Sequence, residues 1–206
     1  MKTKLPSIAT ATLLSLAALA KASPTTITFD DLTTNTGTSS ISGIPNGYQN
    51  LDWYNFYVAA SDAYPGSNFA SGIVSGDYAA IDGYGTTPST ITGGPFLLDS
   101  ADLTSAWDTT DTVEVQGYLA GNPVFDTTVN LGPTASLTDF SSIDTTPVDT
   151  VNFTITGDPV NDNFAVDNLT VTEVPEPASM GVIGLASAAF LFRRRRSRTH
   201  TASLRS

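Results

Sequence analysis

Apolar and polar residues alternate with a period of two along most of the middle of this chain, the spacing of a strand with one buried face and one wet face. Thr25-Thr26-Ile27-Thr28-Phe29 alternates ahead of Asp30-Asp31. Residues 112–119 and 124–131 do the same on either side of Ala120-Gly121-Asn122-Pro123, which predicts a hairpin with Gly-Asn at its turn. Segments 150–155 and 164–171 repeat the pattern, and shorter runs at 54–58, 72–74, 78–81 and 101–107 add to it. No stretch of the middle keeps a 3.6-residue period for more than two turns. Roughly eight to ten short strands with Gly, Pro, Asn and Asp between them predict an all-β fold, an antiparallel β-sandwich of jelly-roll type. Without an internal repeat, a propeller or solenoid is not expected.

Both ends break this pattern with continuous apolar runs. Met1-Lys2-Thr3-Lys4 precedes an apolar stretch over residues 8–20, and Ala20-Lys21-Ala22-Ser23 supplies small residues for cleavage after Ala22. Residues 1–22 therefore read as a secretory signal peptide, removed by signal peptidase. The other end runs Val174-Pro175-Glu176-Pro177, then a Gly- and Ala-rich apolar span over 178–192, then Arg193-Arg194-Arg195-Arg196. Fifteen residues of helix reach only about 22 Å against a hydrocarbon core of about 30 Å, so arginine stems that snorkel are needed to complete a short transmembrane helix. Four cations on one side place that flank, and the tail at 199–206, in the cytoplasm. The predicted organisation is a signal peptide at 1–22, a sandwich domain at 23–173, a sorting and anchoring segment at 174–198 and the tail.

Order and spacing in that last segment resemble the PEP-CTERM sorting signal of exported bacterial proteins, a segment also labelled an ice-binding protein C-terminal domain. The resemblance implies that Pro175, Glu176 and Pro177 are the recognition element for an exosortase-type processing enzyme. It makes Arg193, Arg194, Arg195 and Arg196 the stop-transfer cluster. It further implies an exopolysaccharide-producing host, transient anchoring in the cytoplasmic membrane, and a final place at the cell surface or in the extracellular matrix. The body resembles secreted jelly-roll domains that often carry such a signal, on the blocks at 27–32, 44–48, 51–57 and 166–171. An architecture shared with many carbohydrate-binding modules is implied by that resemblance, and binding is not.

Charge separates the same three parts. Between Ala22 and Phe192 there is no Lys, Arg or His, and the chain has no Cys, while all 20 acidic residues lie between Asp30 and Glu176. Such a body cannot assemble a Ser-His-Asp or Cys-His site, a Schiff base, or a zinc site built on imidazole or thiolate. It has no cations with which to replace the counterions of a nucleic acid, so nucleic-acid binding is excluded. Carboxylate-pair hydrolysis of glycosides survives on composition, with Glu114 and Asp126 on the predicted hairpin as the available pair. Two solvated carboxylates on a polar face account for them more simply.

Two kinds of site remain. Hard oxygen donors suit calcium, and Asp30 and Asp31 at the end of the first strand with Asp167 in the last are expected to converge on one structural Ca2+ if the terminal strands are neighbours. Asp158-Pro159-Val160-Asn161-Asp162-Asn163 lacks the glycine and distal glutamate of an EF-hand loop and reads as a turn. Aromatic residues supply the second candidate, a carbohydrate platform of Trp53, Tyr57 and Trp107, with Trp53 and Tyr57 on one face of their strand and Tyr54 and Phe56 on the other. No regular Thr-x-Thr ladder supports an ice-binding surface. The expected function is that of a non-enzymatic exported surface or matrix protein associated with exopolysaccharide. A carbohydrate-binding module stands as the alternative, and a carboxylate glycosidase behind it.

Overall fold

The computed structural model describes residues 22–32, 41–83, 87–156 and 162–174. The signal peptide, the Pro-Glu-Pro element, the apolar span at 178–192 and the arginine cluster lie outside those residues. Among the described residues no helix is long and apolar enough to cross a membrane.

Alternation produces strands where it is expected, in the order β1 (Pro24–Ile27), β2 (Ile41–Gly43), β3 (Leu51–Tyr54), β4 (Phe56–Ala60), α1 (Phe69–Gly72), β5 (Tyr78–Asp82), β6 (Ser89–Ser105), β7 (Asp111–Leu119), β8 (Asn122–Leu131), β9 (Ser136–Asp139), β10 (Val148–Thr156) and β11 (Phe164–Glu173). Every pairing is antiparallel. The 17-residue β6 joins the two layers of the sandwich. Its first part pairs with β3 and β10, continuing through β7 to β8, while its second part pairs with β11 and β9. Beside β11 run β5, β4 and β2, and β1 pairs with the C-terminal half of β11. Gly93-Gly94-Pro95 divides the two parts of β6.

Three local readings are corrected. The hairpin turn is Ala120-Gly121, both at positive φ (49° and 75°), and Asn122 already belongs to β8. Two left-handed residues give the twist that a two-residue hairpin needs, and the Asp149 carboxylate accepts the Ala120 N–H at 2.7 Å. Residues 72–74 are not a strand: Gly72 closes α1, where a Cβ would stand 2.8 Å from the Ala165 side chain. Only glycine lets that helical turn lie against β11.

The third correction concerns the aromatic block. Asn55 adopts φ 57° between β3 and β4, a conformation asparagine tolerates better than most residues, and it resets the alternation. Trp53 and Phe56 therefore share the core in an edge-to-face contact at 5.5 Å, and Tyr54 and Tyr57 lie outside it. Phe56 continues to Phe153 and Phe164, and Trp53 to Phe29, all as edge contacts between 5.5 and 6.2 Å. Each such pair contributes about 0.5–1.5 kcal/mol beyond the area it buries, so this chain of rings ties one layer to the other. A smaller apolar group of Ala59, Phe69, Ile81, Ala106 and Ala165 packs separately, with Tyr57 and Tyr64 against it.

Candidate functional site

The carboxylates first expected to hold calcium do other work. Asp167 is fully buried, and its oxygens accept the main-chain N–H groups of Val74 at 2.7 Å, Ser75 at 2.8 Å and Asn168 at 2.7 Å. Burial raises the Asp167 pKa, and those N–H bonds partly offset the rise. Asp30 accepts the N–H groups of Asp77 and Tyr78 and fills the space beside Gly76, at φ 58°, where a Cβ would stand 1.9 Å from its carboxylate. Two carboxylates thus fasten the segment 74–78 from both sides. Asp31 accepts the hydroxyl of Tyr48, whose own pKa is driven far up by burial and by that carboxylate. The ligand atoms of Asp30, Asp31 and Asp167 do not form one group close enough to share an ion.

A different trio does. Carboxylate oxygens of Asp108, Asp111 and Asp162 lie within 4.8 Å of one another, with Asp111 and Asp162 buried and Asp108 exposed. These are the residues that could hold a hard divalent cation. Asp108 comes from the turn between β6 and β7, and Asp111 is the first residue of β7. Asp162 comes from the run read above as a plain turn, immediately before β11. Ser105 Oγ reaches both the Asp111 carboxylate and the Asp108 carbonyl, and its single proton serves one of them at a time. Asp82 lies close enough for the Asp111 charge to act on it. Burial pushes the Asp82 pKa up to about 7, against hydrogen bonds from Phe164 and Asn163 that lower it.

Beside this trio stands Trp107. It is 42% exposed, although its ring meets Tyr64 edge-on at 5.8 Å and Phe69 edge-on at 5.7 Å. Its Nε1–H donates to Asn163 Oδ1 at 3.2 Å, and Asn163 Nδ2 donates in turn to the Gly83 carbonyl at 3.1 Å. The Tyr57 ring lies against Gly83, with Cε2 2.9 Å from where a Cβ would project. The loop bearing Tyr64 is held to the same turn by Asn68, whose N–H donates to the Ala106 carbonyl at 2.6 Å and whose Nδ2 donates to that of Asp108 at 3.0 Å.

Of the predicted platform, Tyr57 and Trp107 therefore share one neighbourhood, and Trp53 does not. Only 6% of Trp53 is exposed, and its Nε1–H donates inward to the Tyr48 carbonyl at 3.0 Å. Tyr64 and Asn163 escaped the sequence reading, because neither sits in an alternating strand. Glu114 and Asp126 lie on the same face of the hairpin as diagonal neighbours, not directly opposite. Register places Glu114 opposite Thr128, and Asp126 opposite Gln116, whose Nε2 donates to it at 3.1 Å.

Comparison with known proteins finds the PEP-CTERM protein-sorting motif at residues 173–196. No curated protein matches the chain. Among solved structures it is similar to a mutant family 29 carbohydrate binding module, with 15% identity, a TM-score of 0.41, and coverage of 74% of this chain and 92% of that one. Another family 29 module gives 16% identity and a TM-score of 0.41 over 74% of this chain and 89% of that one. The CBM22-1–GH10 modules of Clostridium thermocellum endo-1,4-beta-D-xylanase 10B, complexed with xylohexaose, give 12% identity and a TM-score of 0.38 over 75% of this chain and 29% of that one.

Proposed function

We propose that this is an exported, non-catalytic protein of the cell surface or extracellular matrix, delivered through its C-terminal sorting motif and associated there with exopolysaccharide. The observation that carries the reading is the sorting motif at residues 173–196, which contains Pro175, Glu176, Pro177 and Arg193 to Arg196. A motif of this kind marks an exported protein that is held in the membrane before an exosortase-type enzyme processes it. On this reading residues 1–22 direct export and are cut after Ala22, and the arginine cluster keeps the C-terminal tail cytoplasmic until processing.

Chemistry of the body supports a non-catalytic role. Carboxylates, hydroxyls, amides and aromatic rings are its functional groups between residues 23 and 173, with no base or nucleophile beyond those. Of the one carboxylate pair weighed for hydrolysis, Asp126 is exposed and engaged by Gln116 on the outer side of the hairpin.

Replacing Glu176 by Ala in the native host tests the proposal. Unprocessed chain is expected to accumulate in the membrane fraction while the unaltered protein reaches the surface or medium. Equal processing of both would reduce the segment to a plain anchor.

A further inference from the structure

We infer that the face built from Trp107, Tyr64 and Tyr57 is a stacking site for a neutral, hydroxyl-rich polysaccharide, with the exposed Asp108 carboxylate as hydroxyl acceptor. This rests on the exported, glycan-associated reading above and locates that association on the molecule.

An exposed indole in an aqueous surface is ordinarily mobile, and ordering it on a ligand costs side-chain entropy. Here the cost is met during folding. Tyr64 and Phe69 brace the Trp107 ring edge-on from the loop and from α1, and Asn163 fixes its Nε1–H. Since its single polar hydrogen is already engaged, what the ring has left to offer a ligand is apolar and π surface. The C–H face of a pyranose ring is apolar in the same sense.

Polarity around the ring narrows the class further. Asp108 follows Trp107 directly, and Asp162 precedes the Asn163 that holds the indole. Their carboxylates gather with that of Asp111 within 4.8 Å, and of the three only Asp108 is exposed, so Asp108 is the acceptor at the border of the face, with the charge of the other two buried behind it. A charged acceptor matches a ligand that donates, as sugar hydroxyls do. No Lys, Arg or His lies between residues 22 and 192 to offset that charge. A uronate- or sulfate-bearing polymer is therefore repelled where a neutral polymer is accepted.

With only two tryptophans in the chain, one buried in the core and one on this face, fluorescence isolates the site. The full-length protein in detergent, carrying Trp53→Phe so that Trp107 is the sole emitter, would be titrated with exopolysaccharide from the native host, separated by anion exchange into neutral and acidic pools. The neutral pool is expected to shift Trp107 emission to the blue and to protect it several-fold from acrylamide quenching, and the acidic pool to do neither. In the unaltered protein, Trp107→Ala should abolish retention in a gel containing the neutral pool. Tyr54→Ala, on a strand elsewhere and 64% exposed, should leave retention unchanged. Should Trp53→Phe unfold the core, as read by circular dichroism, retention in the gel decides alone. Absence of any response to the neutral pool overturns the inference, as does equal binding of the acidic pool. So does protection of Trp107 that grows with protein concentration alone, which would mark a self-association surface. Processing of the Glu176→Ala chain does not enter these readings, so failure here leaves the export proposal standing.

Discussion

The carboxyl group of Asp82, at the end of β5, accepts the main-chain N–H of Phe164, the first residue of β11, at 2.8 Å. It is the first bond at that end of two paired strands, and it lies beside Asn163, which holds Trp107. Because burial raises its pKa from 3.8 to about 7, Asp82 binds a proton in the folded state over a range where the unfolded chain has lost it. Stability then falls as pH rises between about 4 and 7 and levels off above that. Asp167 is shifted in the same direction and adds to the slope. Urea denaturation at pH 4.5 and pH 8 in EDTA should show the loss, on the order of a few kcal/mol. Asp82→Asn keeps an acceptor for Phe164 and should flatten most of the slope. An equal slope in the variant would assign it to other groups.

Gly76 and Gly66 separate two costs that are usually confounded. Both have positive φ, 58° and 88°, but a Cβ on Gly66 meets nothing within 4 Å, whereas one on Gly76 would overlap the Asp30 carboxylate. Gly66→Ala should cost about 1–2 kcal/mol, from left-handed backbone alone. Gly76→Ala carries that cost and also displaces Asp30 from the N–H groups of Asp77 and Tyr78, adding about 1–3 kcal/mol. Equal melting temperatures for the two variants would show that Asp30 does not hold the segment.

Asp167 is the buried counterpart of that clamp. Replacement by Ala strands the N–H groups of Val74, Ser75 and Asn168 in a part-buried setting, a loss of about 2–3 kcal/mol. Asp167→Asn keeps an acceptor oxygen and should lose less. The loss in Asp167→Ala should be the same with added calcium and with EDTA, since those N–H partners vanish in either case. A loss that appears only with calcium present would mean that Asp167 acts through an ion.

Asn55 decides which aromatic rings face inward. Its left-handed backbone and the 2.9 Å bond from its Nδ2 to the Thr87 carbonyl suit asparagine, while glycine satisfies the first requirement alone. Asn55→Gly should be nearly neutral, within about 1 kcal/mol. Asn55→Val, β-branched and disfavoured at positive φ, should cost about 2 kcal/mol or more and expose Trp53 to acrylamide. Similar quenching of Trp53 in both variants would show that residue 55 does not set the alternation.

Strand content was legible in the sequence because alternation is a local signal, and β7, β10 and β11 appear within two residues of where it placed them. Facing is less so, since one left-handed residue shifts every later position, and plain alternation places Tyr57 on the face of Trp53. For the site, Trp107 could be named, but not its supports. Tyr64 and Asn163 reach it from separate parts of the chain through the Asn68 clamp and the Gly83 carbonyl. The acidic trio was hidden for the same reason, as Asp108 and Asp162 become neighbours only when β6 and β11 pair, with Ser105 opposite Phe164.

That trio should store electrostatic strain when no cation is bound. Asp111 is buried, shares a 4.8 Å group with two other carboxylates, and raises the pKa of Asp82. In EDTA at pH 8, Asp111→Asn keeps an oxygen to accept from Ser105 while removing one charge from the group. Stability should rise by about 1 kcal/mol, and the Asp82 titration, followed as the midpoint of the stability-versus-pH curve, should move toward lower pH. Asp99→Asn provides a control, because its carboxylate is engaged by Thr172 on a different part of the sheet. At high salt the benefit of Asp111→Asn should shrink only modestly, since buried charges are poorly screened. A variant less stable than the parent in EDTA, with the Asp82 midpoint unmoved, would show that Asp111 is not paired against like charge in the folded protein.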